Sequence, residues 1–211
     1  QTAGFLKTAY YSKKILQILF TSCFPAYLLS TLWMPLPEWL HTIADAAGVF
    51  QLLVLPYVVL LFIKARKYFT ATLSATAKYL WAMAFIAFCI KIALQALSVI
   101  PALSKFAFGF RPLVIGYLHL SFLGIISFFI LGYCNEYLRK LQLHLNKTGA
   151  VLFISGVLIT ETTLMVQGFG AIEFAYLPWA NYVLFAAALL MLLALLLLST
   201  WLQKNESAIP R

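Results

Sequence analysis

Apolar residues run along this chain in six long stretches, at 15–35, 44–63, 79–101, 112–134, 149–169 and 178–202, separated by short polar segments. Each is close to the ~20 residues that an α-helix needs to cross the hydrocarbon of a bilayer. Helices satisfy their own backbone amides without water, so the pattern predicts an all-α, polytopic transmembrane helix bundle of six spans. Ahead of it, residues 1–14 set Lys7, Lys13 and Lys14 among Phe5, Leu6, Tyr10 and Tyr11, as suits a cytoplasmic segment lying among lipid headgroups. That segment lacks the small-residue cleavage pattern of a signal peptide. Residues 203–211 read as a cytoplasmic tail, and no Pro/Ser-rich linker divides the bundle, so one domain is expected.

Composition agrees with the pattern. Of 211 residues, 64% are hydrophobic and 10% charged, and the mean hydropathy is +0.94, whereas soluble domains are about 45–50% apolar. The net charge of +9 brings no nucleic-acid motif with it; it reports orientation instead. With the N-terminus inside, Lys7, Lys13, Lys14, Lys64, Arg66, Lys67, Lys78, Arg139, Lys140, Lys147, Lys204 and Arg211 are cytoplasmic, against Lys105 and Arg111 outside. Short basic loops resist translocation, so both termini are expected in the cytoplasm. Trp33, Trp39 and Trp179 then mark the outer interface, and Trp81 and Trp201 the inner one. A bacterial inner membrane fits this arrangement. Cys23, Cys89 and Cys134 have no metal-like or redox-like spacing and read as small core residues, buried as apolar groups.

The side chains that hydrocarbon should reject are few: Gln51, Lys91, Gln95, His119, Glu161 and Gln167. At ~1.5 Å per residue, Gln51 lies roughly 10 Å below the outer end of its span, Gln95 roughly 9 Å, Lys91 roughly 15 Å, His119 about 10 Å and Glu161 about 12 Å. Gln51, Lys91, Gln95, His119 and Glu161 therefore form a polar layer in the outer half of the bilayer. Lys91 and Gln95, four apart, share a helix face. Lys91 and Glu161 form the natural ion pair, since an ionisable group in a span needs a partner or a wet cavity. His119 is expected to face the bundle interior, within reach of the Lys91/Gln95 face or of Glu161, rather than lipid, because buried polar groups are normally hydrogen-bonded. Pro25 and Pro56 interrupt the first two spans and mark either a kink or a lined cavity. Gly116, Gly124 and Gly132 allow close approach of a helix or a planar cofactor. His41 and His144 lie too far away to complete a metal site with His119.

The stretch Gly116-Tyr117-Leu118-His119-Leu120-Ser121-Phe122-Leu123-Gly124 resembles the histidine-bearing spans of the haem-copper oxidase superfamily and its NnrS-like relatives. The resemblance covers one helix in six. It implies His119 as an axial haem or metal ligand and Arg111 as a partner for a cofactor propionate, with further ligands supplied by another membrane subunit. The chain opens on Gln1 rather than Met, which is compatible with a preceding N-terminal half as that partner. Three functions follow: a haem-associated redox protein, a proton- or ion-coupled transporter using Glu161, or a scaffold or assembly subunit. No GxSxG, Walker loop or HExxH is present.

Overall fold

The computed structural model describes residues 13–14, 17–25, 37–141, 143, 145–173, 175 and 177–206. Residues 17–25 form α1. It is followed by α2 (Glu38–Thr72), α3 (Ala75–Leu97), α4 (Pro101–Gly109), α5 (Arg111–His119), a π-helical segment (Leu120–Ser127), α6 (Phe128–Lys140), α7 (Lys147–Ile172) and α8 (Pro178–Glu206). There is no strand among the described residues.

Five of these helical runs are long and apolar enough to cross a membrane: Glu38–Ala65, Ala75–Leu97, Arg111–Lys140, Lys147–Ala171 and Pro178–Ser199. The chain is thus all-helical and compatible with a multi-pass integral membrane protein. The apolar run at 15–35 is described only over 17–25, and Lys7, Trp33, His144 and residues 207–211 lie outside the described residues. Large apolar side chains cover the outward faces, Leu53 at 72% and Tyr182 at 77% exposure. Water penalises such a surface and acyl chains solvate it.

α2 runs through Pro56, which lies exposed inside it. Two local readings change. The segment after the third span is not a loop but α4, nine residues with Ser104 buried and its N–H bonded to the Ile100 carbonyl at 2.9 Å. The cysteines are not core residues: Cys23 and Cys134 are exposed and Cys89 is half-buried.

The described helices gather into two compact units rather than one. The first holds the chain up to residue 69 with 89–109; the second holds 70–88 with 110 onward, so α3 contributes its first part to the second unit and its last part to the first. The second unit has a core of Leu80, Ala84, Phe128, Phe153, Val157 and Ala194, ringed by Met83, Leu123, Leu131 and Met191. Its tightest seam joins α7 to α8. On α8 the buried residues, among those described, are Ala180, Ala187, Ala194 and Leu198, the three alanines seven apart. Opposite them, a Cβ on Gly149 would stand 3.2 Å from the Ala194 carbonyl, and one on Gly156 3.3 Å from the Ala187 carbonyl. Rising numbers on one helix meet falling numbers on the other, so the two are antiparallel. Lipid tails are as apolar as leucine, so such helices associate through close van der Waals fit, which small residues permit. One face of the leucine-rich last span is therefore packed on α7 rather than turned to lipid.

At one end of this unit Ser74 caps α3, its Oγ accepting the Ala77 N–H at 3.2 Å. Asn135, buried in α6, donates to the same Oγ at 2.6 Å, and Glu136 accepts the Ser74 N–H at 2.8 Å while pairing with Arg139 at 2.7 Å. Donors at the start of a helix have no intrahelical partner, and here a neighbouring helix supplies one.

A candidate binding cleft beside His119

α5 begins at Arg111-Pro112, with Pro in the first turn where its missing N–H costs nothing. Eight residues later comes His119, the last residue of regular α geometry before the π segment. The Ser127 hydroxyl donates to the Phe122 carbonyl, five residues back, at 3.1 Å, a reach that matches the wider turn. π turns occur mostly as local distortions and often at functional sites.

The glycines of this run serve three neighbours. A Cβ on Gly116 would meet α7, 3.0 Å from Met165 Cε and 3.8 Å from Glu161 Oε2; one on Gly124 would meet Ala87 Cβ of α3 at 3.1 Å; Gly132 lies under Trp81. Trp81 also donates its indole N–H to the Phe129 carbonyl at 3.2 Å. Close helix packing accounts for all three.

Beside α5, α7 and α8 lies a cleft of about 340 Å³, lined by Arg111, Pro112, Ile115, His119, Thr160, Leu164, Gln167, Asn181, Leu184, Ala188 and Met191. Its polar groups sit at its two ends. Arg111, Gln167 and Asn181 mark one, where Gln167 donates to Asn181 Oδ1 at 3.1 Å. His119 and Thr160 mark the other, with the Thr160 hydroxyl spent on the Gly156 carbonyl at 2.9 Å. His119 is half-buried. Among the described residues its buried Nδ1 has no hydrogen-bond partner, nor does the buried Oε1 of Glu161, whose carboxylate packs against the Gly116 backbone one turn above His119.

The other predicted polar residues belong to the first unit. Gln51, 2% exposed, donates to Ser22 Oγ at 3.2 Å. Lys91 donates to Gln95 Oε1 at 2.6 Å across one turn of their own helix, and Ser98 donates to the Gln95 carbonyl at 2.7 Å. Gln51, Lys91 and Gln95 belong to the first unit, and His119, Glu161 and Arg111 to the second. Among the described residues no three of His, Cys, Asp and Glu converge as a metal site, so His119 stands as a single protein donor. Sequence reasoning missed Thr160 and Asn181, which read as ordinary small polar residues in or near spans.

No protein-family model, curated protein or solved structure matches this chain.

Proposed function

We propose that this is a six-span inner-membrane protein with both termini in the cytoplasm, whose cleft binds a membrane-soluble small ligand in the outer half of the bilayer. The six spans and their orientation rest on the 15–35 run and on the lysine and arginine bias of the loops. The binding reading rests on one observation: the buried, unpartnered Nδ1 of His119 beside a cleft walled by apolar side chains. Buried polar atoms are normally bonded, and one left unpaired next to a cleft is suited to a ligand atom.

Haem in a redox role is the first candidate. A single imidazole suffices as a proximal ligand, and Arg111 supplies a cation for an acidic substituent. When bound, haem supplies the electron-transfer chemistry; the protein holds and orients it. The purified protein reconstituted with haem should show a Soret band that His119→Ala abolishes and Arg111→Gln weakens. An unchanged spectrum in His119→Ala would remove haem from the reading.

Glu161 favours a second reading, since its Oε1 is buried without a partner. In a proton-coupled transporter that carboxylate carries the coupling proton. Proton uptake by proteoliposomes that Glu161→Gln abolishes would favour transport over redox chemistry.

A further inference from the structure

The three helices around the cleft agree on its polarity. From Arg111 to His119 along α5 is eight residues, from Gln167 back to Thr160 along α7 seven, and from Asn181 to Met191 along α8 ten. At ~1.5 Å per residue these spans are roughly 12, 10 and 15 Å. Each helix thus sets its polar or charged side chain at the same mouth, and the groove then continues one hydrocarbon-lined stretch deeper. At the mouth one full positive charge and two helix N-terminal ends outweigh the C-terminal end of α7. Arg111 carries the guanidinium, Asn181 keeps its amide hydrogens after accepting from Gln167, and the N-terminal ends of both α5 and α8 open there.

We propose that the cleft binds a long-chain carboxylate, its acid group at Arg111 and Asn181 and its chain lying along Ile115, Leu164 and Leu184 toward His119. This deepens the ligand-site reading above and rests on it, but it does not require that the ligand be haem. A planar two-oxygen anion matches the fork of one arginine flanked by an amide. A volume of about 340 Å³ lies at the small end of ligand pockets and suits one chain rather than the two of a phospholipid.

The test uses the full chain in phosphatidylcholine nanodiscs with spin-labelled stearate and its methyl ester as probes. Wild type should bind the acid about ten-fold more tightly than the ester, and Arg111→Gln should erase most of that ratio. Leu184→Trp, which fills the groove and leaves the mouth intact, should weaken both probes, and it keeps the test open should Arg111→Gln fail to fold. Equal binding of acid and ester by wild type, or an unaltered ratio in Arg111→Gln, overturns the proposal. So does displacement of stearate by phosphatidylglycerol at equal concentration, which would assign the mouth to lipid phosphate. Haem that displaces stearate from wild type but not from His119→Phe supports the earlier reading; haem that displaces it from neither retires haem and leaves the carboxylate site standing.

Discussion

Lys91 and His119 are both polar side chains set among apolar helices, yet their surroundings differ in kind. Lys91 ends on Gln95 one turn along its own helix, and Gln51 in the same unit ends on Ser22. His119 and Glu161 each keep a buried atom without a partner among the described residues, and His119 lines a cleft. The first group spends most of its hydrogen-bonding capacity within the protein, though Gln51 Oε1 is also left without a partner. The second leaves its buried capacity unspent, in one case on a residue that lines a cleft. An ionisable residue in a membrane helix is a functional candidate by default, and the contrast shows how local pairing weakens that default for Lys91 while its absence strengthens it for His119.

That difference can be broken by measurement. The largest effect is expected at Gln51: Gln51→Ala removes an interhelical hydrogen bond and leaves a void, and should cost about 2 kcal/mol in unfolding measured in detergent. A loss below ~0.5 kcal/mol would mean that the first group is not structural. His119→Phe should change stability by less than about 1 kcal/mol in either direction, because the imidazole gives up no bond at Nδ1, while haem binding is lost. A fall of ~2 kcal/mol would instead make His119 a packing residue. The smallest effect concerns Lys91 and Glu161. A double-mutant cycle with Lys91→Met and Glu161→Gln should be additive within about 0.5 kcal/mol if Gln95 is partner enough for the lysine. Coupling above ~1 kcal/mol would join the two groups into the single polar layer and ion pair expected from helix depths.

Length and apolarity made the long helices readable, because crossing hydrocarbon imposes a stretch of about 20 residues that few other constraints produce. The same argument singled out His119 and Glu161, whose side chains stand out against leucine and phenylalanine. It was blind where the signal is geometric rather than chemical. Nothing in Leu120–Ser127 marks a π turn, since its side chains are as apolar as those of the α-helix around it. Thr160 gave no warning because a threonine can satisfy its hydroxyl on its own helix, as it does on Gly156. The seam of α8 was present as Ala180, Ala187 and Ala194, but a hydropathy count treats alanine and leucine alike and so loses the heptad. That these polar residues belong to two units was out of reach, because depth along a helix says nothing about direction around it.

The π segment also sets the clock of the fourth span. Each turn there takes in more residues than an α turn, so a given number of residues turns the chain through a smaller angle than it would in an α-helix. Gly116 can therefore serve α7 while Gly124 and Gly132 serve α3, a division that depends on the phase lost between them. Removing one residue from 120–127 would let the run close into a uniform helix, and because fewer α residues cover the angle that the wider turns cover, α6 would keep nearly its present phase relative to α5. Gly132 would stay under Trp81 and Asn135 beside Ser74. A deletion in the regular α geometry on either side would instead turn α6 against α5 by about 100° and take the cap on α3 with it. In evolutionary terms the segment behaves as an absorbed single-residue insertion, the one place in this span where a residue can be lost without loss of register.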